Sequence, residues 1–275
     1  MSSTINLAED DLSRKALESL IATCQQDPKL ASDKDIQIVI NTTKKMGIPK
    51  DYVPRIIPLQ FCKLNKPRDL RILLITKDPS TIYRDAITKD EPVNELIKEI
   101  ITVKNLKRRF RGAKLNELYS EFDLIVADYR VHHLLPKVLG TRFFHGSKKL
   151  PFMIRMSKQL KVKRQKMIEE CDTSYIRAQL KSICKNAHYL PNEDNCLNVK
   201  IGQINKQTVD EMIYNVIDII SFLTDKSRKP QGGCIKGGIE SIYVKTSNST
   251  SLPLYIKEKQ ITANYDDDDE DDWKL

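Results

Sequence analysis

Hydrophobic and polar positions follow two kinds of spacing in the first sixty residues of the chain. From Leu12 to Cys24 apolar residues recur every three or four positions, which predicts one face of an amphipathic helix. The stretch IQIVINT (36–42) alternates apolar and polar residues, which predicts a strand with one buried face. RIIPLQF (55–61) is a second candidate strand, and Pro58 favours an edge or a bulge. A helix followed by half-buried strands is therefore expected here.

The middle of the chain is patterned differently. RILLIT (71–76) and DLIVAD (123–128) are continuous apolar runs of the kind found in strands that are covered on both faces. Between them, residues 92–110 and 115–119 have helical spacing, and residues 131–139 supply the next helix. Parallel strands joined by helical crossovers form a right-handed βαβ unit. The pattern therefore predicts a small Rossmann-like domain.

Alternating strands return in the last third of the chain. A helix is predicted over about 173–187, and CLNVKIG (196–202) and SIYVKT (241–246) are predicted strands. Thr208 and Glu211 have the spacing of a capping box, and they precede a long amphipathic helix. Because such strands occur at both ends of the chain, we expect one α+β domain that the Rossmann-like domain interrupts.

The predicted fold class is therefore α/β with two domains, a discontinuous α+β domain interrupted by a three-layer Rossmann-like domain. The split domain is expected at 1–66 and 156–260, the inserted domain at 67–155 and an acidic tail at 261–275. The tail contains DDDDEDD (266–272), which is too charged and too poor in apolar residues to fold alone, so we expect it to be disordered.

Charge narrows the class of partner. The net charge is +9, and it rises to +15 without the last ten residues. Basic residues are concentrated in KNLKRRFRGAK (104–114), RMSKQLKVKRQK (155–166) and KSRKPQGGCIK (226–236). Any one of these runs fits a solvated helix face or loop equally well, but three of them in one chain favour a nucleic-acid partner.

Other features exclude several classes of protein. The chain has no run of about eighteen apolar residues and its N-terminal segment is acidic, so we expect a soluble intracellular protein without membrane contact. Six cysteines occur without any pair at the two-residue gap of zinc and redox motifs, and we interpret them as buried thiols.

Catalytic and nucleotide-binding motifs are also lacking. Gly140 and Gly146 have the wrong spacing for a phosphate-binding loop, and no glycine-rich turn follows the strand 71–76. Asp128 and the neighbouring His132 and His133 lack a second carboxylate cluster, which favours a role on the helix surface over a catalytic one. We therefore predict no enzymatic activity, no cofactor and no metal.

Three blocks in order resemble a known family. FDLIVADYRVHHLLPKVLG with its basic loop and Leu150-Pro151, CLNVKIGQINKQTVDEMIYNVIDIISFL (196–223) and SIYVKTSNSTSLPLY (241–255) are similar to the signature segments of large-subunit ribosomal protein one. The resemblance covers about residues 30–256. It implies a two-domain fold like that of this ribosomal stalk protein, with RNA recognition mainly on the split domain.

The chain departs from the family at the positions that contact RNA. Ser247, Asn248 and Ser249 stand where the family has Thr-Met-Gly, Ser32 or its neighbours replace a usual Phe, and Gly-Thr-Arg-Phe-Phe (140–144) replaces a Gly-Pro pattern. The chain therefore resembles a paralogue that assembles ribosomes, most of all the family's member in the small-subunit processome. A large-subunit assembly factor, a stalk protein and a protein-only scaffold are the alternatives.

This resemblance implies that the chain binds pre-ribosomal RNA in the nucleolus of the nucleus. Its expected companions are other pre-ribosome assembly factors, with the chain itself a monomer inside a large ribonucleoprotein particle. The predicted RNA contacts, taken from the family's turn and from the densest basic run, are Lys245, Thr246, Ser247, Asn248, Ser249, Thr250, Arg155, Lys158, Lys161, Lys163 and Arg164. Secondary basic contacts are expected at Arg142, Lys148 and Lys149.

Overall fold

A computed structural model describes residues 11–30, 32–61, 64–144, 149–158 and 171–257. The predicted acidic tail lies outside these described residues. In chain order the elements are α1 (Asp11–Gln26), β1 (Asp35–Thr42), β2 (Arg55–Ile57), a 3₁₀ helix (Pro67–Asp69), β3 (Ile72–Thr76), α2 (Thr81–Lys89), α3 (Glu91–Asn94), β4 (Ile97–Thr102), α4 (Val103–Arg109), α5 (Lys114–Glu121), β5 (Leu124–Asp128), α6 (Tyr129–His132), α7 (Leu135–Phe144), β6 (Phe152–Ile154), α8 (Thr173–Lys185), β7 (Ala187–Tyr189), β8 (Cys196–Gln203), α9 (Val209–Thr224), a second 3₁₀ helix (Lys226–Arg228), β9 (Ile239–Lys245) and β10 (Leu252–Ile256).

The two ends of the chain build one antiparallel sheet in the order β10-β9-β1-β8. Helices α1 and α9 pack on one face of it, where Leu17 and Ile219 join the fully buried Ile38 in a single core. The predicted capping box is confirmed, because the Thr208 hydroxyl accepts from the Glu211 amide and the Glu211 carboxylate accepts from the Thr208 amide. We call this part the split unit.

The middle of the chain builds a parallel sheet in the order β4-β3-β5-β6. Every residue of β3 and β5 is buried, as the two continuous apolar runs predicted. Side chains of α2, α3 and α8 cover one face, and side chains of α4, α5 and α7 cover the other. This three-layer arrangement, which we call the inserted unit, confirms the predicted fold class.

The two chain crossings between the units lie side by side. Strand β2 leaves the split unit and β7 returns to it, and the two pair antiparallel from Arg55–Tyr189 to Ile57–Ala187. The Tyr189 hydroxyl also donates to the Gln231 carbonyl oxygen at 2.6 Å, which ties this short ribbon to the loop after α9. The ribbon therefore anchors both crossings to the split unit.

Several elements differ from the sequence predictions. Residues 97–102 form β4, although the whole of 92–110 was predicted as helix. The candidate strand 55–61 shortens to the three residues of β2. Strands β6, β7 and β10 were not predicted at all. Each of these strands is short or lies at a sheet edge, where pairing with a distant partner decides the conformation more than local pattern does.

The packing of helix α8 indicates where the boundary between the two units lies. Its buried Ile176, Leu180 and Ile183 pack in the same cluster as Ile72 and Val126 of the parallel sheet. The expected boundary at residue 155 would place this helix in the split unit. We propose instead that the chain leaves the inserted unit after Lys185, where β7 begins.

The cysteines are free thiols among the described residues, and Cys62 lies outside them. Cys24, Cys184 and Cys234 are buried, and burial raises the pKa of Cys184 to about 12. Cys196 is exposed at the start of β8, so the interpretation as buried thiols is wrong for this residue.

Candidate nucleic-acid interface

The antiparallel sheet of the split unit has an outer face opposite its two helices. Register places Lys245, Gln37 and Lys200 side by side across β9, β1 and β8. Tyr243 and Val39 lie in the neighbouring row with Asn198. Directly paired residues of antiparallel strands point to the same side, so these side chains share one face. We call this face the sheet face.

Polar side chains on the sheet face hold one another across strands. The Asn198 amide donates to Gln37 Oε1 at 2.7 Å, and the Asn41 amide donates to Ser241 Oγ at 3.0 Å. Lys200 Nζ lies 2.7 Å from Asp35 Oδ1, which partly offsets its charge. The face is therefore ordered, with lysine and amide groups at the surface and one carboxylate at its edge.

The turn between β9 and β10 is folded around the carboxylate of Asp33. Its oxygens accept from the Thr246 hydroxyl at 2.9 Å, from the Asn248 amide nitrogen at 2.8 Å and from the Asn248 side chain at 3.0 Å. Thr246 and Ser249 are bonded reciprocally, each backbone amide donating to the other's hydroxyl oxygen. This turn is rigid and internally satisfied.

The Asp33 turn changes what the predicted segment 245–250 can offer RNA. Thr246 is fully buried, and the hydroxyl of Ser249 donates to the Thr250 carbonyl oxygen. The side chain of Asn248 is already bound to Asp33. Ser247 and Thr250 are exposed and Lys245 is half-buried, so these three residues are the ones placed to contact a ligand.

The described residues of the two predicted RNA segments follow strands of different sheets. Lys245 ends β9 of the split unit, whereas Arg155 directly follows β6 of the inserted unit. Gln179 of α8 holds Arg155 there, accepting from its amide at 3.0 Å and donating to its carbonyl oxygen at 2.8 Å. Lys158 is close to Tyr175 of α8, with 5.7 Å from Nζ to the ring centroid. Lys161, Lys163 and Arg164 lie outside the described residues.

The predicted secondary contacts belong largely to the fold. Lys149 Nζ donates to the Tyr119 carbonyl oxygen and, at 2.8 Å, to the Phe122 carbonyl oxygen, so it caps the C-terminus of α5. Arg142 lies over the Tyr119 ring, with 4.6 Å from Cζ to the centroid. Phe143 is buried beneath them in the core. Lys148 lies outside the described residues.

Replacing Lys149 by methionine is expected to lower the free energy of unfolding by about 2 kcal/mol, because two carbonyl oxygens lose a charged donor. Urea denaturation followed by circular dichroism measures this loss, with Lys137→Met on exposed helix surface as the matched control. Equal stability of the two variants would contradict the capping role.

The residues that resemble a catalytic pair are structural. The Asp128 carboxylate is fully buried and accepts from Arg130, with Nε 2.9 Å from Oδ2. His132 is buried with Nε2 3.1 Å from the Pro151 carbonyl oxygen, and burial lowers the pKa of the imidazole. Gly140, with a φ of 63°, interrupts α7 and leads back into buried helix, so its turn is part of the core packing. Asp128, His132 and Gly140 therefore support the fold. The predicted helix-surface role is wrong for Asp128 and His132, because both side chains are buried.

The lowered pKa of His132 predicts a loss of stability in mild acid. The unfolded state takes up a proton near the ordinary imidazole value of about 6.5, whereas the folded state resists it until a lower pH. The stabilisation is therefore complete above about pH 6.5 and declines below it, by at most about 1.4 kcal/mol per pH unit. His132→Gln keeps a donor for the Pro151 carbonyl oxygen but does not titrate. Its urea midpoint should therefore decrease less from about pH 7.5 to about pH 5.5 than that of the wild type. An equal decrease in the two proteins would contradict this prediction.

The described part of the chain provides neither a metal site nor a membrane-spanning helix. It contains no group of three His, Cys, Asp or Glu side chains able to hold a metal ion. None of its helices is both long and apolar enough to cross a bilayer.

The sheet face includes residues that the sequence analysis missed, namely Gln37, Lys200 and Tyr243. Strand alternation shows that they point away from the core, but only the register shows that they share a face with Lys245. Asp33 was missed because its partners Thr246 and Asn248 are more than 200 positions away.

Comparison with known proteins agrees with the fold. The family model for Ribosomal protein L1p/L10e matches residues 20–250, and the chain belongs to this family, as predicted. The chain is 62% identical to the ribosome biogenesis protein UTP30 of Saccharomyces cerevisiae over 98% of both chains. It is 26% identical to the proteasome-interacting protein CIC1 of the same yeast over 82% of this chain and 58% of that one. The ribosomal L1 domain-containing protein 1 of Mus musculus is 25% identical over 76% of this chain and 42% of its own length.

Proposed function

We propose that the chain is a non-catalytic ribosome-biogenesis factor that binds pre-ribosomal RNA in the early small-subunit precursor, in the nucleolus. A relative that matches nearly the whole chain is named a ribosome biogenesis protein, which supports the same process here. Other assembly factors are its expected neighbours in that particle, in which it takes part as a monomer.

The sheet face is the observation that carries this proposal. It combines the half-buried lysines Lys245 and Lys200 with the amides of Gln37 and Asn198 on one surface. Lysines suit phosphates, and amides suit ribose hydroxyls, which are the groups that structured RNA presents in its minor groove. The exposed Ser247 and Thr250 extend this set of polar groups at the end of β9.

Sedimentation of a tagged chain from cell extract tests the place of action. We expect the chain to sediment with early small-subunit precursors, and crosslinking followed by sequencing should map it to precursor RNA of that particle. Recovery with large-subunit precursors would favour the alternative assembly role, and recovery on polysomes would favour a stalk protein. Absence of RNA crosslinks would favour a protein-only scaffold.

A charge reversal tests the surface itself. Lys245→Glu is expected to weaken binding to the crosslinked precursor segment and to reduce the slope of its log-log salt plot by about one. Lys15→Glu is the matched control, because Lys15 is exposed on α1, the layer that covers the opposite face of the sheet. Equal affinities of the two variants would place the RNA elsewhere on the protein.

A further inference from the structure

The four parallel strands of the inserted unit end level with one another. Thr102 of β4 pairs with Thr76 of β3, Asp128 of β5 pairs with Ile154 of β6, and β3 and β5 are in register one residue earlier. The carboxyl ends of the strands therefore form a single edge, about 14 Å wide at the usual strand spacing. In open parallel sheets this edge is the usual place for a ligand.

Basic side chains follow every one of these strand ends. They are Lys77 after β3, Lys104 and Lys107 after β4, Arg130 after β5, and Arg155 and Lys158 after β6. Among the described residues three acids occur there, Asp78, Asp128 and Asp172. The Asp128 carboxylate is already bound to Arg130, and the Asp172 carboxylate accepts from the Ser174 hydroxyl and the Tyr175 amide. The basic groups therefore outnumber the acidic ones along the whole edge. We call these six basic residues, together with Tyr129, the edge strip.

One half of the edge strip surrounds a cavity of about 500 Å³. Lys77, Lys104, Lys107 and Arg130 line it together with Asp78, above apolar side chains. This volume is within the range of small-ligand pockets and has room for one nucleotide unit. Thr76 directly precedes Lys77, and its buried hydroxyl has no hydrogen-bond partner among the described residues.

The other half carries an aromatic ring. Tyr129 is 37% exposed and lies between two guanidinium groups, with its ring centroid 5.9 Å from Arg130 Cζ and 5.8 Å from Arg155 Cζ. Asp128 holds the guanidinium of Arg130, and Gln179 holds the backbone of Arg155. An exposed aromatic ring beside cationic groups is a platform on which the bases of single-stranded nucleic acids stack.

We propose that the edge strip is a second RNA-binding surface, specific for single-stranded RNA. The lysines around the cavity contact backbone phosphates, and Tyr129 stacks on an unpaired base. This goes beyond the proposed role of the sheet face, because the two surfaces lie on different sheets. Base-paired RNA does not suit the strip, since its bases are stacked on one another and are not available to the tyrosine ring.

Two observations favour an RNA chain over a free nucleotide as the ligand of the edge strip. The basic groups continue past the cavity to β6, where Arg155 and Lys158 would have no contact with a ligand of one nucleotide. The loop after β3 reads KDPSTIY and lacks the glycines that let successive amides wrap a single phosphate group. A chain of linked phosphates is the ligand that matches the length of the strip.

Binding of a fluorescein-labelled twelve-residue oligouridylate to the full chain, followed by anisotropy over a salt series, tests the proposal. Lys104→Glu with Lys107→Glu should weaken binding at least tenfold and reduce the magnitude of the log-log salt slope by about 1.4, or 0.7 for each phosphate lost. The matched control is Lys89→Glu with Lys98→Glu, which reverses two exposed lysines near the opposite edge of the same unit.

Tyrosine variants test the stacking step. Tyr129→Ala should weaken oligouridylate binding about tenfold with an unchanged salt slope, whereas Tyr129→Phe should bind like the wild type. If both lysine pairs have equal effects, or if Tyr129→Ala binds as tightly as the wild type, the proposal is wrong. Uridine monophosphate binding that matches the affinity of the oligonucleotide would also overturn it, since it would indicate a nucleotide site.

The test of the edge strip can fail independently of the test of the sheet face. Lys245→Glu alters the sheet face and should leave the oligouridylate affinity within about twofold of the wild type, because a single distant charge is screened in salt. If Lys245→Glu loses precursor binding, the sheet face is supported. If the variant with Lys104→Glu and Lys107→Glu still binds both the precursor and oligouridylate, the edge strip is overturned.

Discussion

Asp128→Ala is expected to lower the free energy of unfolding by about 3 kcal/mol, because it removes the carboxylate that holds the largely buried guanidinium of Arg130. The carboxylate is fully buried, and the side chain of Arg130 is only 15% exposed. Two contacts from Arg130 Nε, at 3.1 and 2.9 Å, and one from its backbone amide, at 3.1 Å, would be lost together. Urea denaturation followed by circular dichroism measures the loss.

A double variant separates the ion pair from the packing around it. Arg130→Met combined with Asp128→Ala removes both charges, so it should be more stable than Asp128→Ala alone. If the double variant shows the simple sum of the two single losses, the two side chains are not energetically coupled. Arg130 also donates to the Tyr83 hydroxyl at 2.6 Å, so Arg130→Met alone loses this contact together with the bond to Asp128.

Elements whose stability is local were the ones that could be predicted from the sequence. Helix α9 has its capping box and apolar stripe within sixteen residues, and both features are found in the structure. Strands β3 and β5 were recognisable because burial on both faces leaves no polar position before the last residue of each strand. For these elements, neighbouring residues contain the relevant information.

Strand β4 could not be predicted because its pattern is ambiguous. Ile97, Ile100 and Ile101 have helical spacing, and the exposed Lys98 fits a helix surface equally well. The segment becomes a strand because it pairs along the full length of β3, from Ile72–Ile97 to Thr76–Thr102. Tertiary pairing overrides local preference here, as it often does in edge strands.

The candidate surfaces also depend partly on local sequence and partly on residues that are distant in sequence. Lys245 was placed correctly at a strand end, but the Asp33 carboxylate that organises the following turn lies more than 200 residues away in sequence. Arg155 was predicted as an RNA contact of the split domain together with that turn, whereas it follows β6 at the edge of the other sheet. Charge density in the sequence identifies basic segments, and only the topology shows which of them share a surface.

The affinity of the full chain for its precursor RNA segment is expected to fall about a thousandfold between roughly 50 and 200 mM salt, as for proteins that neutralise about six phosphates. The physical reason is release of counterions when lysines and arginines of the sheet face and the edge strip replace them along the backbone. Anisotropy titrations at four or more salt concentrations give the slope on a log-log plot.

The salt dependence should divide between the two surfaces. Lys245→Glu and the variant with Lys104→Glu and Lys107→Glu should each reduce the slope, and their combination should reduce it by the sum, because charges on different sheets act independently at physiological salt. A flat salt response with retained affinity would mean that phosphates do not contribute to binding, and a protein-only scaffold would then be the better description. A steep slope that no variant changes would place the contact outside both surfaces, with the basic run 155–166 beyond Lys158 as the next segment to alter.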